Sequence, residues 1–302
     1  MRCTEHLGGC LGESVLRGGR AGGRADRATA GEDLSFRAAL FADAGLVRSG
    51  DGGLLVAGVP VESIARSAGT PAFVYNAEAI RAKFGALELV LGALPHRVHY
   101  AVKANGNLAV LRVLQQLGAG CDIVSAGELA RALAAGFDPE MIVFSGVGKT
   151  RDELALACRT GIGQINIESL EELAALESLA APLERPVRTG IRINPSVTVD
   201  THPFISTGTA AAKFGIPADL AVTTALRIAA HPGLRLTGLA MHLGSQLLDV
   251  APYVEGARQL AGLVTEIRQA GVATLEGLDL GGGLGIRYHH ERPLEPLRLA
   301  EA

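Results

Sequence analysis

The chain has 302 residues, with 28 basic and 31 acidic side chains and a formal net charge of −3. This balance leaves no basic field to attract nucleic acid, and no apolar run reaches the roughly 18 residues that a membrane span needs. Apolar residues make up 48% of the chain, which indicates a globular, cytoplasmic protein with a sizeable core. The four cysteines have neither CxxC nor Cys/His spacing, so the sequence predicts neither a metal site nor a disulfide framework.

Residues 1–36 differ from the rest of the chain. They are rich in glycine and arginine and have almost no periodic apolar pattern. No apolar segment of the kind found in a secretory signal follows. We therefore predict a disordered N-terminal extension, or a start codon assigned too early, ahead of a folded domain at residues 37–290.

Short β-rich segments then alternate with helix-patterned stretches. The eight predicted strands are Ala72–Tyr75, Val98–Val102, Cys121–Ser125, Met141–Ser145, Gln164–Ile167, Gly190–Asn194, Thr237–His242 and Leu275–Leu280. Three amphipathic helices are predicted between them, at Asn107–Leu117, Ser169–Leu179 and Val254–Ala270. Eight such units predict an α/β fold, a (β/α)8 barrel of the TIM type. An open doubly wound sheet is the competing architecture.

Polar residues and glycines cluster where these predicted strands end. They are Lys103, Asp122, Ser125, Arg192, Asn194, His242, Ser245, Gly281, Gly282, Gly283 and Gly285. In a barrel the C-terminal ends of the strands meet at one mouth, so we expect these residues to share one cavity. The polar segment 195–218, which lengthens the connection before the seventh strand, is then a candidate substrate loop.

The glycine run and Lys103 together indicate a chemistry for this cavity. Backbone N–H groups in GGGLG can approach an anion closely, and phosphate is the usual one, although a tight turn explains glycines alone equally well. A lysine held out of water at a strand end attacks aldehydes, whereas a lone lysine more often extends to solvent or pairs with a carboxylate. An aldehyde that carries a phosphate describes pyridoxal 5′-phosphate (PLP).

Three other residues near the strand ends have two interpretations each. His242 either stacks on a flat cofactor or is a buried, hydrogen-bonded histidine. Asp122 and Glu128 either contact the site or pair with Arg192, and for Glu128 the structural ion pair is favoured.

The GVGKT segment at Gly146–Thr150 is not a P-loop, because Val143 stands where the first glycine is required.

The motifs of the chain, in their order, resemble those of the diaminopimelate decarboxylases. They are GTPAFVYN, YAVKAN, CDIVSAGEL, FSGVGKT, INIES, RINP, THPFISTG, KFGI, MHLGSQ and LDLGGGLGI. The resemblance covers about residues 48–290 and implies a PLP-binding barrel of the alanine racemase N-terminal type. The HLGSQ and HPFISTG motifs resemble the corresponding segments of diaminopimelate decarboxylases rather than those of ornithine decarboxylases.

The resemblance also implies a role for each matched residue. Lys103 resembles the lysine that binds PLP covalently, and His242 the histidine that stacks on its ring. Ser245 and Gly281–Gly283 resemble the phosphate contacts. Asp122 and Glu128 match acidic positions near the cofactor, with Arg192 as their partner. The implied reaction is decarboxylation of meso-2,6-diaminopimelate to L-lysine and CO2 in a homodimer.

The chain departs from the family pattern near residue 302. It has neither the EPGR segment, whose glutamate meets the pyridine nitrogen, nor the CESxD cysteine of the family's C-terminal β-domain. Residues 291–302 are therefore expected to be a truncated tail, and the chain to be weakly active or inactive alone, with an incomplete dimer interface. The alternatives are a non-catalytic PLP-binding barrel, a decarboxylase of the arginine or ornithine type, or a fragmentary product without a stable fold.

Overall fold

The computed structural model describes residues 41–42, 44–195, 214–288 and 291–302. The predicted extension at residues 1–36 lies outside them. The first elements are three short antiparallel strands, Leu46–Arg48 (β1), Leu54–Val56 (β2) and Val59–Pro60 (β3). The helices Val61–Ala68 and Ala77–Leu91 follow.

A parallel sheet carries the rest of the fold. Its strands are His99–Ala101 (β4), Gly120–Ile123 (β5), Ile142–Phe144 (β6), Gln164–Ile167 (β7), Val187–Asn194 (β8), Leu234–Ala240 (β10) and Gly277–Asp279 (β11), and Ile216–Pro217 (β9) pairs with the end of β8. The order across the sheet is β4-β5-β6-β7-β8-β10-β11, which follows the chain without a reversal. A doubly wound sheet reverses its strand order, so the predicted α/β fold of the barrel type is confirmed. His99 of β4 and Asp279 of β11 interact electrostatically, so the sheet is curled.

The prediction of a strand at Ala72–Tyr75 is wrong. These residues have no ladder partner in the described part of the chain, and the side chain of Phe73 is 92% exposed. Their aromatic and β-branched residues favour a strand, but a strand also needs a neighbour to pair with. The sheet therefore has seven of the eight predicted barrel strands, with β4 and β11 as its edges.

Helices connect the strands of the sheet. They are Leu108–Gln116, Ala126–Ala135, Arg151–Thr160, Leu170–Ala180, Ala221–Ala230 and Ala251–Gln269, with a last helix at Pro296–Glu301. The three predicted helices are thus confirmed to within a few residues. Ser125, Thr150 and Ser169 begin three of the helices, because each side chain accepts an N–H group of the first turn. None of the helices in the described ranges is long and apolar enough to cross a membrane.

Successive side chains of each strand point alternately to the apolar core and to the inner face of the sheet, where the site lies. Ile165 and Ile167 of β7 are fully buried in the apolar core, whereas Gln164 and Asn166 lie on the other face of the strand. Side chains alternate between the two faces in the same way in β5 and β8. The inner face of the sheet therefore carries Asp122, Gln164, Asn166, Gly190 and Arg192.

Candidate functional site

The C-terminal ends of the strands bring four of the predicted site residues together. Lys103 follows β4, Asp122 lies in β5, Arg192 lies in β8 and His242 follows β10. Lys103 and Arg192 both act electrostatically on Asp122 and on His242. The four side chains therefore lie around one space at the mouth of the curled sheet.

Lys103 is exposed, and the expectation of a lysine desolvated at a strand end is wrong. β4 ends at Ala101, and Val102–Ala104 form a single 3-10 turn in which Val102 is buried. β4 is an edge of the sheet, so no further strand covers this turn in the described part of the chain. The amine of Lys103 is consequently accessible to a reagent from solvent.

Asp122 is held by a chain of hydrogen bonds that runs to Ser145 and Asn166. Ser145 Oγ donates to Asp122 Oδ1 at 2.5 Å, and Asn166 Nδ2 donates to Ser145 Oγ at 3.1 Å. Burial raises the pKa of Asp122 to about 6, and the nearby Asp279 acts in the same direction. The hydrogen bond from Ser145 and the charges of Lys103 and Arg192 oppose this rise. Asp122 is therefore a carboxyl group that titrates near neutral pH.

Two amide side chains fill the interior below Asp122. Gln164 Nε2 donates to Asn166 Oδ1 at 2.8 Å, and Thr237 Oγ1 donates to Gln164 Oε1 at 2.9 Å. Gly190 lies beside Asn166 in the sheet, and a Cβ there would come within 2.3 Å of Asn166 Oδ1. A side chain at this position would displace the amides, so only glycine leaves room for the polar interior.

Arg192 pairs with Glu168 rather than with Asp122 or Glu128, which corrects the expected ion pair. Its Nη1 lies 2.9 Å from both carboxylate oxygens of Glu168. Glu168 also accepts the N–H group of Gly146, and the guanidinium lies 5.0 Å from the ring centroid of Phe214. Glu168 is 3% exposed and Arg192 8%, so this is a buried ion pair. It fixes the positive charge that faces Asp122 and His242.

Glu128 serves the local backbone. Its Oε2 accepts the N–H group of Val124 at 2.8 Å, and its own N–H group donates to Ser125 Oγ at 3.2 Å. The bond to Ser125 caps the first turn of the helix Ala126–Ala135, and the bond from Val124 fixes the residue that precedes the cap. Glu128 therefore shapes the segment that follows Asp122, and the ion pair favoured for it is not formed.

His242 is half-buried directly after β10. Burial lowers its pKa to about 4, and the positive charges of Arg192 and Lys103 add to this effect. The imidazole is therefore neutral at physiological pH. A neutral, flat ring beside an accessible amine suits an aromatic ligand better than a charged one would.

We expect the stability of the protein to depend on pH through His242. The unfolded state binds a proton at the ordinary value of 6.5, whereas the folded state does so only below about 4. The free energy of unfolding of the parent protein, relative to His242→Gln, should therefore rise by up to about 3 kcal/mol between pH 4 and 6.5. Urea unfolding of both proteins across this range measures the difference, and parallel curves would contradict the assignment.

The predicted glycine loop follows β11 and packs tightly on the segment after β10. Gly283 has φ +103°, and a Cβ there would lie 1.9 Å from the carbonyl oxygen of Gly244. Gly282, by contrast, has no atom within 4 Å of a Cβ position. The sequence left an anion site and a tight turn equally open for these glycines, and the structure shows that Gly283 is required by contact between two loops.

The same loop presents donors that the protein does not use. In the described part of the chain, the N–H groups of Ser245, Gly282 and Gly283 have no protein acceptor. Tyr253 Oη donates to the carbonyl oxygen of Gly282 at 3.0 Å and so fixes that peptide. Free N–H groups over open space fit a phosphate, and the accessible amine of Lys103 fits an aldehyde. The residues present thus fit PLP.

Two alanine substitutions in this loop should have different effects. Gly283→Ala should lower the free energy of unfolding by about 2 kcal/mol, because it combines a left-handed backbone with a contact to Gly244. Gly282→Ala is the matched control and should change it by less than about 0.5 kcal/mol. Denaturant unfolding of both variants tests this, and equal losses would show that the loops are not in contact.

Four residues at the site were not identified from the sequence as site residues. Glu168 and Ser145 each lie at a strand end, so the rule that found Lys103 also applied to them. Asn166 lies inside β7, where only its place on the inner face identifies it, and Asp279 is the last residue of β11, so the same rule applied to it. Asp279 accepts the N–H group of Gly281 at 2.8 Å and lies 3.5 Å from Asn166 Nδ2, so it connects the glycine loop to the interior.

The candidate substrate loop at 195–218 lies mostly outside the described residues. Its last part is described from Phe214, whose ring lies against Arg192. β9 and the turn Ala218–Leu220 end the segment before the helix Ala221–Ala230. The HPFISTG motif, at residues 202–208, is not among the described residues.

Comparison with known proteins identifies the family to which the chain belongs. The model of the pyridoxal-dependent decarboxylases, pyridoxal binding domain, matches residues 77–301. The diaminopimelate decarboxylase of Pseudomonas aeruginosa is 46% identical over 243 residues, which are 80% of this chain and 58% of that protein. The enzyme of Vibrio cholerae is 42% identical over 252 residues, covering 83% and 60%.

Solved structures agree with these relatives. The crystal structure of diaminopimelate decarboxylase from Helicobacter pylori complexed with L-lysine has a TM-score of 0.77 and 36% identity, over 80% of this chain and 61% of that chain. The M. jannaschii enzyme in complex with L-lysine gives 0.79 and 32%, over 86% and 62%. The chain thus spans less than two thirds of the length of these relatives. It belongs to the family of pyridoxal-dependent decarboxylases, whose pyridoxal binding domain it contains.

Proposed function

We propose that this protein decarboxylates meso-2,6-diaminopimelate to L-lysine and CO2, with PLP held at the mouth of the curled sheet. The observation that carries the proposal is the convergence of Lys103, Asp122, Arg192 and His242. They lie at the same end of the strands as the unused N–H groups of the glycine loop. The two relatives whose structures contain L-lysine support the substrate class.

Each residue has a proposed task that its surroundings support. The accessible amine of Lys103 is the group that binds the aldehyde covalently. Ser245, Gly282 and Gly283 donate to the phosphate, and Gly281 shapes the loop through its bond to Asp279. His242, neutral because its pKa is lowered, offers the face of its ring to the cofactor. Bound there, PLP supplies an aldehyde for the amine and a ring that accepts electrons from a breaking carbon–carbon bond.

The remaining site residues hold charges and backbone in place. Arg192, fixed by Glu168, keeps a positive charge on the side of Asp122 and His242. Asp122 exchanges a proton near neutral pH, because burial has raised its pKa to about 6. Glu128 supports the turn that carries Asp122. We propose these as binding and positioning tasks in a cytoplasmic, homodimeric enzyme that takes a small amino acid as its substrate.

Release of labelled CO2 tests the substrate. Purified protein, supplied with PLP, should release CO2 from meso-diaminopimelate, however slowly, and not from L-ornithine or L-arginine. A preference for either of the other amino acids would overturn the substrate assignment. PLP binding without release from any of the three would favour a non-catalytic barrel.

A further inference from the structure

Gln246, in the segment that follows β10, has a backbone conformation that is rare for its type. Its φ is +61°, in the left-handed region that favours glycine. Its side chain bonds the main chain of Ile286 in both directions, since Oε1 accepts the Ile286 N–H group at 2.9 Å and Nε2 donates to the Ile286 carbonyl oxygen. Residues persist in this region when their surroundings compensate the strain, and here the two hydrogen bonds do so.

These two bonds continue a short parallel ladder between the two loops. Leu247 N–H donates to the carbonyl oxygen of Gly283 at 2.8 Å, and Gly285 N–H donates to that of Leu247 at 2.8 Å. Leu247 and Leu284 are bridge partners. The side-chain amide of Gln246 thus adds one more pair of hydrogen bonds at the end of this backbone ladder. The segment Gln246–Leu247 and the segment Gly283–Ile286 are therefore held as one unit.

Unused donors lie at the start of each half of this unit or directly before it. Ser245 precedes Gln246 directly, and Gly282 and Gly283 stand at the start of the partner segment. Their N–H groups have no protein acceptor among the described residues. A bound anion needs both sets of donors at a fixed separation, and the left-handed turn at Gln246 determines where Ser245 lies relative to the glycines.

We propose that Gln246 is a positioning residue for the phosphate group of the ligand. Its amide fixes the distance between the donors at Ser245 and those at Gly282 and Gly283, without touching the phosphate itself. This inference rests on the proposed function only in that the ligand carries a phosphate. The role requires both the length of the side chain and its amide, because one shorter by a methylene does not reach Ile286.

Paired ligands that differ only in the phosphate test the proposal. Pyridoxine 5′-phosphate and pyridoxine both lack the aldehyde, so neither depends on Lys103 for a covalent bond. Gln246→Asn keeps an amide and tolerates the left-handed backbone, and Gln246→Gly removes the strain altogether. Titration calorimetry measures the dissociation constant of each ligand for the parent chain and both variants, and thermal unfolding checks that each variant is folded.

Both variants should bind pyridoxine 5′-phosphate about tenfold more weakly, because the ligand must then order donors that the parent chain already holds at the right separation. Their affinity for pyridoxine should stay within about twofold of the parent. Unchanged affinity for the phosphorylated ligand, or equal loss for both ligands, would overturn the role of Gln246 while leaving the proposed function intact. Failure of the parent chain to bind pyridoxine 5′-phosphate would overturn the proposed function and this inference with it.

Discussion

Replacing Lys103 with alanine should abolish covalent capture of PLP. The parent protein, incubated with PLP and reduced with borohydride, should gain the mass of the reduced cofactor on the peptide that contains Lys103. The amine of Lys103 is exposed at the mouth of the sheet, at the same end of the strands as the unused donors of the glycine loop. No other side chain there is a primary amine in the described part of the chain, so the substitution leaves no group to replace it.

The scarcity of lysines makes this experiment sharp. The chain has four, at positions 83, 103, 149 and 213. Lys149 is occupied, because its buried ammonium lies 2.8 Å from Glu172 and donates to two backbone carbonyl oxygens. Lys83 is exposed on the helix Ala77–Leu91, outside the strands of the sheet, and Lys83→Ala is the matched control that should keep full labelling. Labelling that persists in Lys103→Ala would remove Lys103 from the proposed site.

Replacing Glu168 with glutamine should cost the protein a large part of its stability. Removing one member of a buried ion pair leaves the other charge without compensation, which typically costs about 4 kcal/mol. Arg192 would then keep its contact with the Phe214 ring but lose both charged bonds to Glu168. Denaturant unfolding should show a lower midpoint for Glu168→Gln than for the parent.

A second glutamate provides the control for this measurement. Glu177 pairs with Arg227 through both of its oxygens, but the two side chains are 21% and 41% exposed. Water screens such a pair, so Glu177→Gln should cost less than about 1 kcal/mol. Equal losses for the two variants would mean that burial does not strengthen the Glu168–Arg192 pair.

Much of the fold followed from local pattern. The strand Gln164–Ile167 was predicted with its observed bounds, because alternating apolar residues between two helical stretches allow little else. The helix Ala126–Ala135 begins where the Ser125 side chain accepts the N–H group of Glu128, which is also a local signal. At Ala72–Tyr75 the same reasoning failed, because propensity describes the residues of a strand and not the neighbour that it must pair with.

The sequence predicted the end of the sheet at which the candidate site lies, but it did not predict which side chains contact each other there. Lys103, Asp122, Arg192 and His242 were all expected at one mouth, since the C-terminal ends of parallel strands meet there. The partner of Arg192 was assigned wrongly, because Glu168 and Asp122 both lie at strand ends and the motif order does not rank them. The pairing of β7 with β8 puts Asn166 beside Gly190, and Glu168 follows within reach of Arg192.

The sequence by itself determined the barrel-type α/β order, the family motifs and the end of the sheet at which the polar residues gather. Those properties depend only on residue type and on spacing along the chain, and both can be read directly from the sequence. Only the tertiary structure decided that Lys103 is exposed, that Glu168 holds Arg192, and that Gln246 joins the loop after β10 to the glycine loop. Each of these depends on distances between segments far apart in the chain, and such distances arise from strand register and loop packing rather than from local propensity.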